Sequence, residues 1–292
     1  MSSSSRQVLI ATAAVLGSVA ALGLGTSFAK QLFPLIGAQG TSGLRVGFSA
    51  LVLTLIFRPW RWRLTRSDWR AVMQYGLALG LMNLLFYMAI RTIPFGLAVA
   101  IEFTGPLAVA LMGMRRRLDA VWIALAVVGL CLLLPWQGAD QALDPSGVAY
   151  ALGAAVFWAA YIVYGKRAGT LPGGAVVAWG MCFAALVVVP VGVWHAGPLL
   201  LDPGLLVFAL GVAIVSSAIP ISLEMFALQR LPKETFGVLT STEPAMAAML
   251  GWVLLHERLT AFQWLAIACV MAASIGCAIT ASTGMRQRVE AP

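Results

Sequence analysis

Charged residues are scarce in this chain of 292 residues. Asp, Glu, Lys and Arg make up only 10% of it, whereas soluble proteins carry roughly 25% charged residues. Hydrophobic residues make up 61% of the chain, and no soluble core can enclose that much apolar surface. The composition therefore excludes an ordinary soluble domain and predicts a protein whose main solvent is lipid.

The short motifs of common catalytic and nucleotide-binding sites are also missing. The chain contains no GxxxxGK[ST] phosphate loop, which argues against direct use of ATP, and neither HExxH nor GxSxG is present. Both histidines, His195 and His256, lie at the ends of apolar segments. No histidine is therefore placed to act as a general base at mid-membrane depth, and we expect no enzymatic activity.

Cysteine is rare, and its pattern indicates neither disulfides nor a metal site. The four cysteines are Cys131, Cys182, Cys269 and Cys277, and all lie within apolar segments. The chain has no CxxC motif and no Cys/His cluster, so we interpret these residues as free buried thiols that pack as small apolar side chains. We accordingly predict no metal and no cofactor.

What the sequence does contain is a series of apolar segments. A helix needs about 20 such residues to cross the hydrocarbon layer. Ten segments qualify, at residues 8–28, 38–57, 69–90, 95–114, 120–136, 147–164, 175–194, 205–228, 235–255 and 262–281. The first exceeds the ~7–15 residues of a signal-peptide core, so we expect an uncleaved helix. None alternates as the strands of a membrane barrel do, so we predict an all-α membrane protein with ten transmembrane helices.

The two halves of the chain are related in sequence. Residues 83–94 align with residues 221–232, and Lys30 matches Lys166. Each half has five segments, an odd number, so the second copy must lie inverted in the membrane relative to the first. Inverted repeats are common in secondary transporters, with the substrate site at mid-depth between the repeats.

Basic residues are distributed unevenly among the connections between segments. One side holds Arg6, Arg58, Arg61, Arg63, Arg66, Arg70, Arg115, Arg116, Arg117, Lys166, Arg167, Arg230, Lys233, Arg286 and Arg288. The other side holds only Lys30, Arg91 and Arg258. Because Lys and Arg concentrate on the cytoplasmic side, we predict cytoplasmic chain ends and outward-facing connections at 137–145 and 194–203. The net charge of +8 then reports orientation and anionic lipid contacts, not nucleic acid.

Four ionisable residues lie inside the predicted spans, namely Arg45, Glu102, Glu224 and Glu243. A charge at a helix centre costs ~2.5–3.5 kcal/mol on insertion scales, so such residues are usually functional or paired. Arg45 lies between Gly43 and Gly47 at a depth similar to that of Glu102. Two interpretations stay open: a structural ion pair with Glu102, or a grip on a substrate carboxylate through two parallel hydrogen bonds. The glycines most often allow two helices to approach closely.

Prolines within the spans should expose backbone carbonyls, because each frees the carbonyl four residues earlier. The prolines and the residues whose carbonyls they free are Pro106 with Glu102, Pro244 with Thr240, and Pro220 with Ser216. Free carbonyls at mid-depth can bind an ammonium group or a cation. We expect this of Pro106 and Pro244, which are repeat partners, and only a kink at Pro220.

The acidic residues in the spans are candidates for proton coupling. Burial disfavours the charged form of a carboxyl group, which suits a proton carrier near neutral pH. We rank Glu243, near the midplane, and Glu102 above Glu224, which lies closer to the cytoplasmic end. Three further polar residues, which either line a cavity or bond neighbouring helices, are Asn83, Tyr87 and Tyr161.

Several of these runs resemble the drug/metabolite transporter superfamily, whose members carry two EamA-type repeats. The matching runs are residues 29–37, 86–111, 222–232 and 235–244. The run from Glu102 to Pro106 is typical of the subgroup of bacterial threonine/homoserine exporters. The resemblance covers nearly the whole chain. It implies a proton-driven, ten-helix exporter of small amino acids in the bacterial inner membrane, with EamA-like repeats at 1–138 and 139–292 forming one transport domain. The chain departs from the wider family in the turn at 115–118, where arginines stand in place of the usual acid.

The resulting functional prediction is a secondary active exporter of a zwitterionic amino acid that works by alternating access. Its predicted substrate-binding residues are Arg45, Asn83, Tyr87, Glu102, Tyr161, Thr240 and Glu243, and its predicted proton-coupling residues are Glu102 and Glu243. A multidrug or cationic-metabolite exporter of the same fold is the main alternative. A membrane-embedded enzyme is a remote one, because no nucleophile–base set is present. The expected partners are the substrate, protons and lipid, and the sequence carries no signal for an oligomeric state.

Overall fold

The protein is described by a computed structural model, which covers residues 3–112, 117–132, 143–168, 173–228, 230–231, 236 and 239–289. Three features named above fall wholly or partly outside these residues. They are the connection at 137–145, described only from residue 143, the basic turn at 115–118, described only from Arg117, and the start of the predicted span at 235–255.

Helices make up the regular structure of the described residues, which confirms the predicted all-α class. They are α1 (Ser3–Lys30), α2 (Phe33–Phe57), α3 (Arg66–Ala89), α4 (Phe95–Glu102), α5 (Thr104–Met112), α6 (Arg117–Leu132), α7 (Pro145–Ala168), α8 (Gly173–Ala196), α9 (Pro203–Ala213), α10 (Ile219–Leu228), α11 (Glu243–Leu255) and α12 (Ala261–Val289). Six candidate membrane spans are found among the described residues, together with four shorter apolar helices. The protein is therefore a membrane protein, and the count of ten spans stays a prediction.

Polar side chains cap the starts of two apolar helices, α3 and α9. Thr65 precedes α3 and accepts a hydrogen bond from the Asp68 amide, while Asp68 accepts one from the Thr65 amide at 2.8 Å. Such a capping box satisfies amide groups that the first helical turn leaves unpaired. Asp202 caps α9 in a similar way through the amide of Leu205. These short polar caps flank apolar helices, so the sequence marks the span ends locally.

Two of the predicted spans are broken in the structure. The span at 95–114 is interrupted close to Pro106, where the sequence predicts a disturbed helix: α4 ends at Glu102, Phe103 forms a turn and α5 starts at Thr104. The segment 205–228 is also interrupted, by a π-helical stretch at Ile214–Ala218 between α9 and α10. A proline lies within the first three residues of the helix that follows each break, where its missing N–H needs no partner.

The helices pack in pairs around a central contact between α2 and α8. Helix α3 packs against α7 and α8, α1 packs against α10, α4 packs against α11, and α6 packs against α12. Gly43 faces α8, where a Cβ atom would lie 3.3 Å from the Cα atom of Gly192, and Gly47 faces Val189. These glycines therefore allow two helices to approach closely, as GxxxG motifs usually do. They do not make room for a ligand at Arg45.

Candidate functional site

A cavity of about 560 Å³ lies between the helices of the two halves. Its wall is formed by residues of α1, α2, α3, α4, α5, α7, α8, α10 and α11, by the π-helical stretch, and by Phe103, Phe236 and Thr240. The predicted site residues that line it are Arg45, Asn83, Glu102, Tyr161, Thr240 and Glu243, with Pro106 and Pro220 beside them. The volume falls in the range of ordinary ligand sites, about 300–1,000 Å³.

Arg45 is held in a fixed orientation by uncharged groups. Its Nε donates to Ser216 Oγ at 2.8 Å, its Nη1 donates to Asn83 Oδ1, and its Nη2 donates to the Ser216 carbonyl at 3.3 Å. The guanidinium carbon also lies 5.4 Å from the ring centroid of Tyr87. A guanidinium group has five N–H donors, so these bonds leave two of them for a ligand.

A direct ion pair between Arg45 and Glu102 is not formed. Within the described part of the chain no carboxylate lies within 4.0 Å of the Arg45 side chain. Both residues line the same cavity, and both are buried in the protein. Of the two interpretations left open for Arg45, the direct ion pair with Glu102 is therefore not the one found, since Asn83 and Ser216 accept the bonds of the donors that would have met a carboxylate.

Pro220 does more than kink a helix, which corrects the prediction for this residue. It follows the π-helical stretch, and the carbonyl that it frees, on Ser216, accepts a hydrogen bond from Arg45. The Ser216 hydroxyl in turn donates to the Val212 carbonyl at 2.7 Å. Short π-helical segments often mark functional sites because they redirect side chains and carbonyls. The sequence did not identify the Ser216 side chain as a partner of Arg45. Its position four residues before Pro220 was the signal that could have drawn attention to it.

Two turns, at Phe103 before Pro106 and at Ser241 and Thr242 before Pro244, place acidic residues at helix ends. Glu102 is the last residue of α4, and Glu243 is the first residue of α11, where the helix dipole favours negative charge. Thr104 Oγ1 donates to the Ile101 carbonyl at 2.6 Å, and its repeat partner Thr242 donates to the Leu239 carbonyl at the same distance. The two breaks therefore share one local geometry.

A third acidic residue, Glu224, lines the same cavity and accepts a hydrogen bond from Ser18 at 2.7 Å. Near it, the hydroxyl groups of Tyr75 and Tyr161 lie 3.2 Å apart. Tyr87, by contrast, is not among the lining residues; it lies fully buried behind Arg45. The structure thus brings Tyr161 to the cavity and makes Tyr87 a support for the guanidinium group.

An ion pair at one end of the bundle was not anticipated from the sequence. Lys30 Nζ lies 2.5 Å from Glu257 Oε1, and the other Glu257 oxygen accepts the backbone N–H of Phe95 at 2.7 Å. These bonds tie the end of α1 to the start of α4 and to the connection that follows α11. The sequence signal was available, since Lys30 and Glu257 lie in connections assigned to the same membrane face.

The described residues include no group of three or more His, Cys, Asp or Glu side chains that could hold a metal ion. What the cavity offers is one fixed cation, Arg45, together with three carboxyl groups and several hydroxyl groups. Such a set can bind a small molecule that carries both an anionic and a cationic group.

Comparisons with known proteins agree with this arrangement. The model of the EamA-like transporter family matches residues 145–279. The threonine/homoserine exporter RhtA of Escherichia coli (strain K12) is 48% identical over 273 residues, which cover 94% of this chain and 90% of the exporter. The chain belongs to the EamA-like transporter family.

Other relatives support the same assignment. The RhtA protein of Salmonella typhimurium (strain LT2) is 49% identical over 88% of this chain and 87% of its own length. A Bacillus subtilis protein named as the uncharacterized transporter YwfM is 28% identical over 80% of this chain and 81% of its own length. The family and these relatives are transporters and not enzymes.

A solved crystal structure shares the fold. It aligns with a TM-score of 0.58 and 19% sequence identity, and the alignment covers 98% of this chain and 99% of the other. At this level of identity the likeness concerns the architecture alone, so the function of this EamA-family protein is argued from its own residues and from its relatives.

Proposed function

We propose that this transporter exports small amino acids of the threonine and homoserine type. The observation that carries the proposal is the fixed Arg45 guanidinium group, which lines the same cavity as the carboxyl groups of Glu102 and Glu243. Both RhtA relatives, at 48–49% identity, are named for these two substrates. An α-amino acid carries one carboxylate and one ammonium group, and the cavity offers a match for each.

In this proposal the substrate carboxylate binds the two remaining N–H groups of Arg45. The ammonium group binds Glu102, and Glu243 and Thr240 line the same cavity. Parallel N–H···O bonds from one guanidinium group are stronger and more directional than bonds to neutral groups. Asn83 orients Arg45, Tyr87 supports it, and Tyr161 lines the cavity.

We further propose that residues 1–138 and 139–292 form two inverted five-helix repeats, so that the chain spans the membrane ten times. In such a repeat, α1 is equivalent to α7, α2 to α8, and α3 to α9 and α10 together. The packing supports this, because α3 packs against α7 as α10 packs against α1, and α3 packs against α8 as α9 packs against α2. The matched threonine bonds at the two breaks add further support. Alternating access then follows as one repeat moves against the other around the cavity.

The proposed location is the bacterial inner membrane, with both chain ends in the cytoplasm. Support comes from the uneven distribution of Lys and Arg among the connections. In this orientation the Lys30–Glu257 pair lies at the outer end of the bundle and holds α1, α4 and the end of α11 together. The pair would have to separate when the cavity opens outward.

Energy for export against a gradient must come from an ion gradient, since the sequence contains no ATP-binding motif. We propose proton exchange, because the carboxyl groups in the cavity are the groups there whose charge can change near neutral pH. Moving one charge through 100 mV releases about 2.3 kcal/mol, which corresponds to roughly a 50-fold concentration ratio. Glu102 and Glu243 are the first candidates to carry the proton.

An export assay tests this function directly. Cells that lack their own exporters are loaded with a panel of radiolabelled amino acids, and efflux is measured with and without the protein. We expect selective efflux of threonine and homoserine, and a protonophore should stop it in cells whose ATP level is maintained. Efflux of cationic metabolites in place of amino acids would favour the alternative of a cationic-metabolite exporter.

A further inference from the structure

We propose that Glu224 is the residue whose protonation couples proton entry to the movement of the helices, and that it acts through its hydrogen bond with Ser18. The inference rests on the proposed proton-driven export, and it assigns the coupling step to a residue that burial depth alone ranked below Glu102 and Glu243. The geometry around Ser18 carries the argument.

Ser18 contacts two acceptors at once. Its Oγ lies 2.7 Å from Glu224 Oε1 and 3.2 Å from the Pro220 carbonyl oxygen, and the serine is fully buried between α1 and α10. A serine hydroxyl has one hydrogen to donate, and a carbonyl oxygen can only accept. With Glu224 ionised, this one hydrogen is shared between the two acceptors as a three-centre bond. With Glu224 protonated, the carboxyl group can donate to Ser18 and leave the hydroxyl hydrogen to the Pro220 carbonyl alone.

Ionisation of Glu224 changes the balance between these two bonds. A carboxylate is acceptor-only and draws the Ser18 hydrogen toward itself, so the bond from α1 to the Pro220 carbonyl weakens. When a proton from water binds the Glu224 carboxylate, the carboxyl group donates to Ser18, and Ser18 donates fully to Pro220. The strength of this hydrogen bond between α1 and the α10 backbone thus depends on one proton.

The rearranged bond lies close to the substrate site. Pro220 follows the π-helical stretch, and Ser216 in that stretch holds Arg45 by its hydroxyl and carbonyl groups. Movement of the start of α10 relative to α1 would therefore alter the support of Arg45. Because Gly25 has no side chain, α1 also approaches the backbone of Ser216 closely, so α1 contacts the π-helical stretch as well as α10.

The surroundings of Glu224 are suited to a group that gains and loses a proton. The titratable groups that interact with it are Tyr75 of α3, Tyr161 of α7 and Glu243 of α11. No Lys, Arg or His among the described residues forms an ion pair with Glu224. A fixed cation would hold the carboxylate permanently ionised, and here the direct partner of Glu224 is the neutral Ser18.

The test uses the full chain in proteoliposomes and measures two activities. Threonine counterflow without a gradient reports binding and exchange, and accumulation driven by an imposed pH gradient reports coupling. The variant Glu224→Gln keeps a donor toward Ser18 but cannot titrate. We expect counterflow within about threefold of wild type and at least a tenfold loss of gradient-driven accumulation.

Two serine variants sharpen the test. Ser18→Ala keeps the carboxyl group but removes its link to Pro220, so the number of protons moved per threonine should fall while counterflow remains. Ser42→Ala is the matched control, because Ser42 is equally buried, lies on α2 away from the cavity, and has no hydrogen-bond partner for its hydroxyl among the described residues. Ser42→Ala should behave as wild type.

Several outcomes would overturn the inference. Full gradient-driven accumulation in Glu224→Gln would do so. An unchanged proton-to-threonine ratio in Ser18→Ala would do so as well, and this second measurement decides the question if Glu224→Gln does not fold. Loss of coupling in Glu102→Gln or Glu243→Gln with normal coupling in Glu224→Gln would assign the proton to those residues. Absence of threonine counterflow in the wild type would instead refute the proposed function itself, so the two failures are distinguishable.

Discussion

Arg45 is the residue on which the proposed function depends most. A buried charge without a counter-ion is costly, and breaking a buried ion pair by removing one partner typically costs ~3–5 kcal/mol. In this structure Asn83 and Ser216 orient the guanidinium group, and their atoms are neutral acceptors. In the proposed function, the carboxylate of the amino acid supplies a negative charge at this group.

Lysine should not replace Arg45. It has a single ammonium group and cannot bond Asn83, two atoms of Ser216 and a ligand in the same planar arrangement. We expect Arg45→Lys to weaken threonine binding by about 1.5–3 kcal/mol, or roughly 10- to 150-fold. Isothermal titration of the purified protein measures this. Arg91→Lys, in the exposed turn after α3, is the control, and equal binding by both variants would contradict the role of Arg45.

The close contact at Gly25 should also be sensitive to substitution. A Cβ atom there would lie 2.6 Å from Ser216 Cβ and 2.8 Å from its backbone nitrogen. We expect Gly25→Ala to cost about 1–3 kcal/mol of unfolding free energy through overpacking, and to weaken threonine binding as well. Gly211→Ala, with nothing within 4 Å of the added carbon, should be neutral or slightly stabilising. Thermal unfolding in detergent compares the two, and equal midpoints would refute the contact.

The ionisable residues of the cavity could be found from the sequence because lipid excludes isolated charges. That reasoning identified Arg45, Glu102 and Glu243 without a structure. It could not identify Ser49 and Ser217, whose hydroxyl groups lie 2.9 Å apart at the cavity wall. Small hydroxyl residues are frequent in spans, and their role depends on which helix faces they share in three dimensions.

Helix breaks are the elements that build the site, and the sequence predicted them only in part. Pro220 located a freed carbonyl that is used, that of Ser216, because the missing N–H is a property of the residue itself. For Pro106 and Pro244 the freed carbonyls stay a prediction. The type of interruption was not predictable. A turn at Phe103 and a π-helical stretch at Ile214–Ala218 follow from the packing of neighbouring helices.

The Lys30–Glu257 pair should control opening of the outer end. Both side chains are largely buried, and removing one partner typically costs about 1–3 kcal/mol, which shifts a two-state equilibrium by roughly 5- to 150-fold. We expect Glu257→Gln to increase labelling of Val99→Cys, in the cavity wall, by an impermeant thiol reagent added from outside. Native cysteines are first replaced by alanine or serine.

A charge reversal provides the control for this pair. Lys30→Glu alone should also raise the labelling, whereas Lys30→Glu combined with Glu257→Lys should lower it again toward the wild-type level. Labelling that is unchanged by every one of these variants would mean that the pair does not hold the outer end closed.

For the molecule as a whole, composition predicted the all-α membrane class, because it depends on counting residues, and the structure confirms that class. The charge distribution predicts an orientation, which stays a prediction. The pairing of α2 with α8 and of α1 with α10 could not be read from the sequence. It depends on contacts between residues far apart in the chain, of which Gly43 against Gly192 is an example. The relation of the two halves suggested the symmetry, and the recurring helix pairs support it.

The orientation makes a prediction of its own. Leu199→Cys, in the turn between α8 and α9, should be labelled by an impermeant thiol reagent in intact cells, in the same cysteine-free background. Trp60→Cys, between α2 and α3, should be labelled only after the cells are opened. Both native side chains are more than half exposed, so burial does not explain a difference. The reverse pattern would invert the orientation and the direction of transport with it.

The central claim is that Arg45 binds the carboxylate of an amino acid. Competition during counterflow of radiolabelled threonine in proteoliposomes tests it most directly, with unlabelled threonine and threonine amide as competitors. The amide keeps the ammonium and hydroxyl groups but has no carboxylate. We predict that threonine competes at least tenfold better than the amide in the wild type, and that Arg45→Ala removes most of this difference. Equal competition by the two compounds in the wild type would contradict the claim and favour a transporter of cationic metabolites.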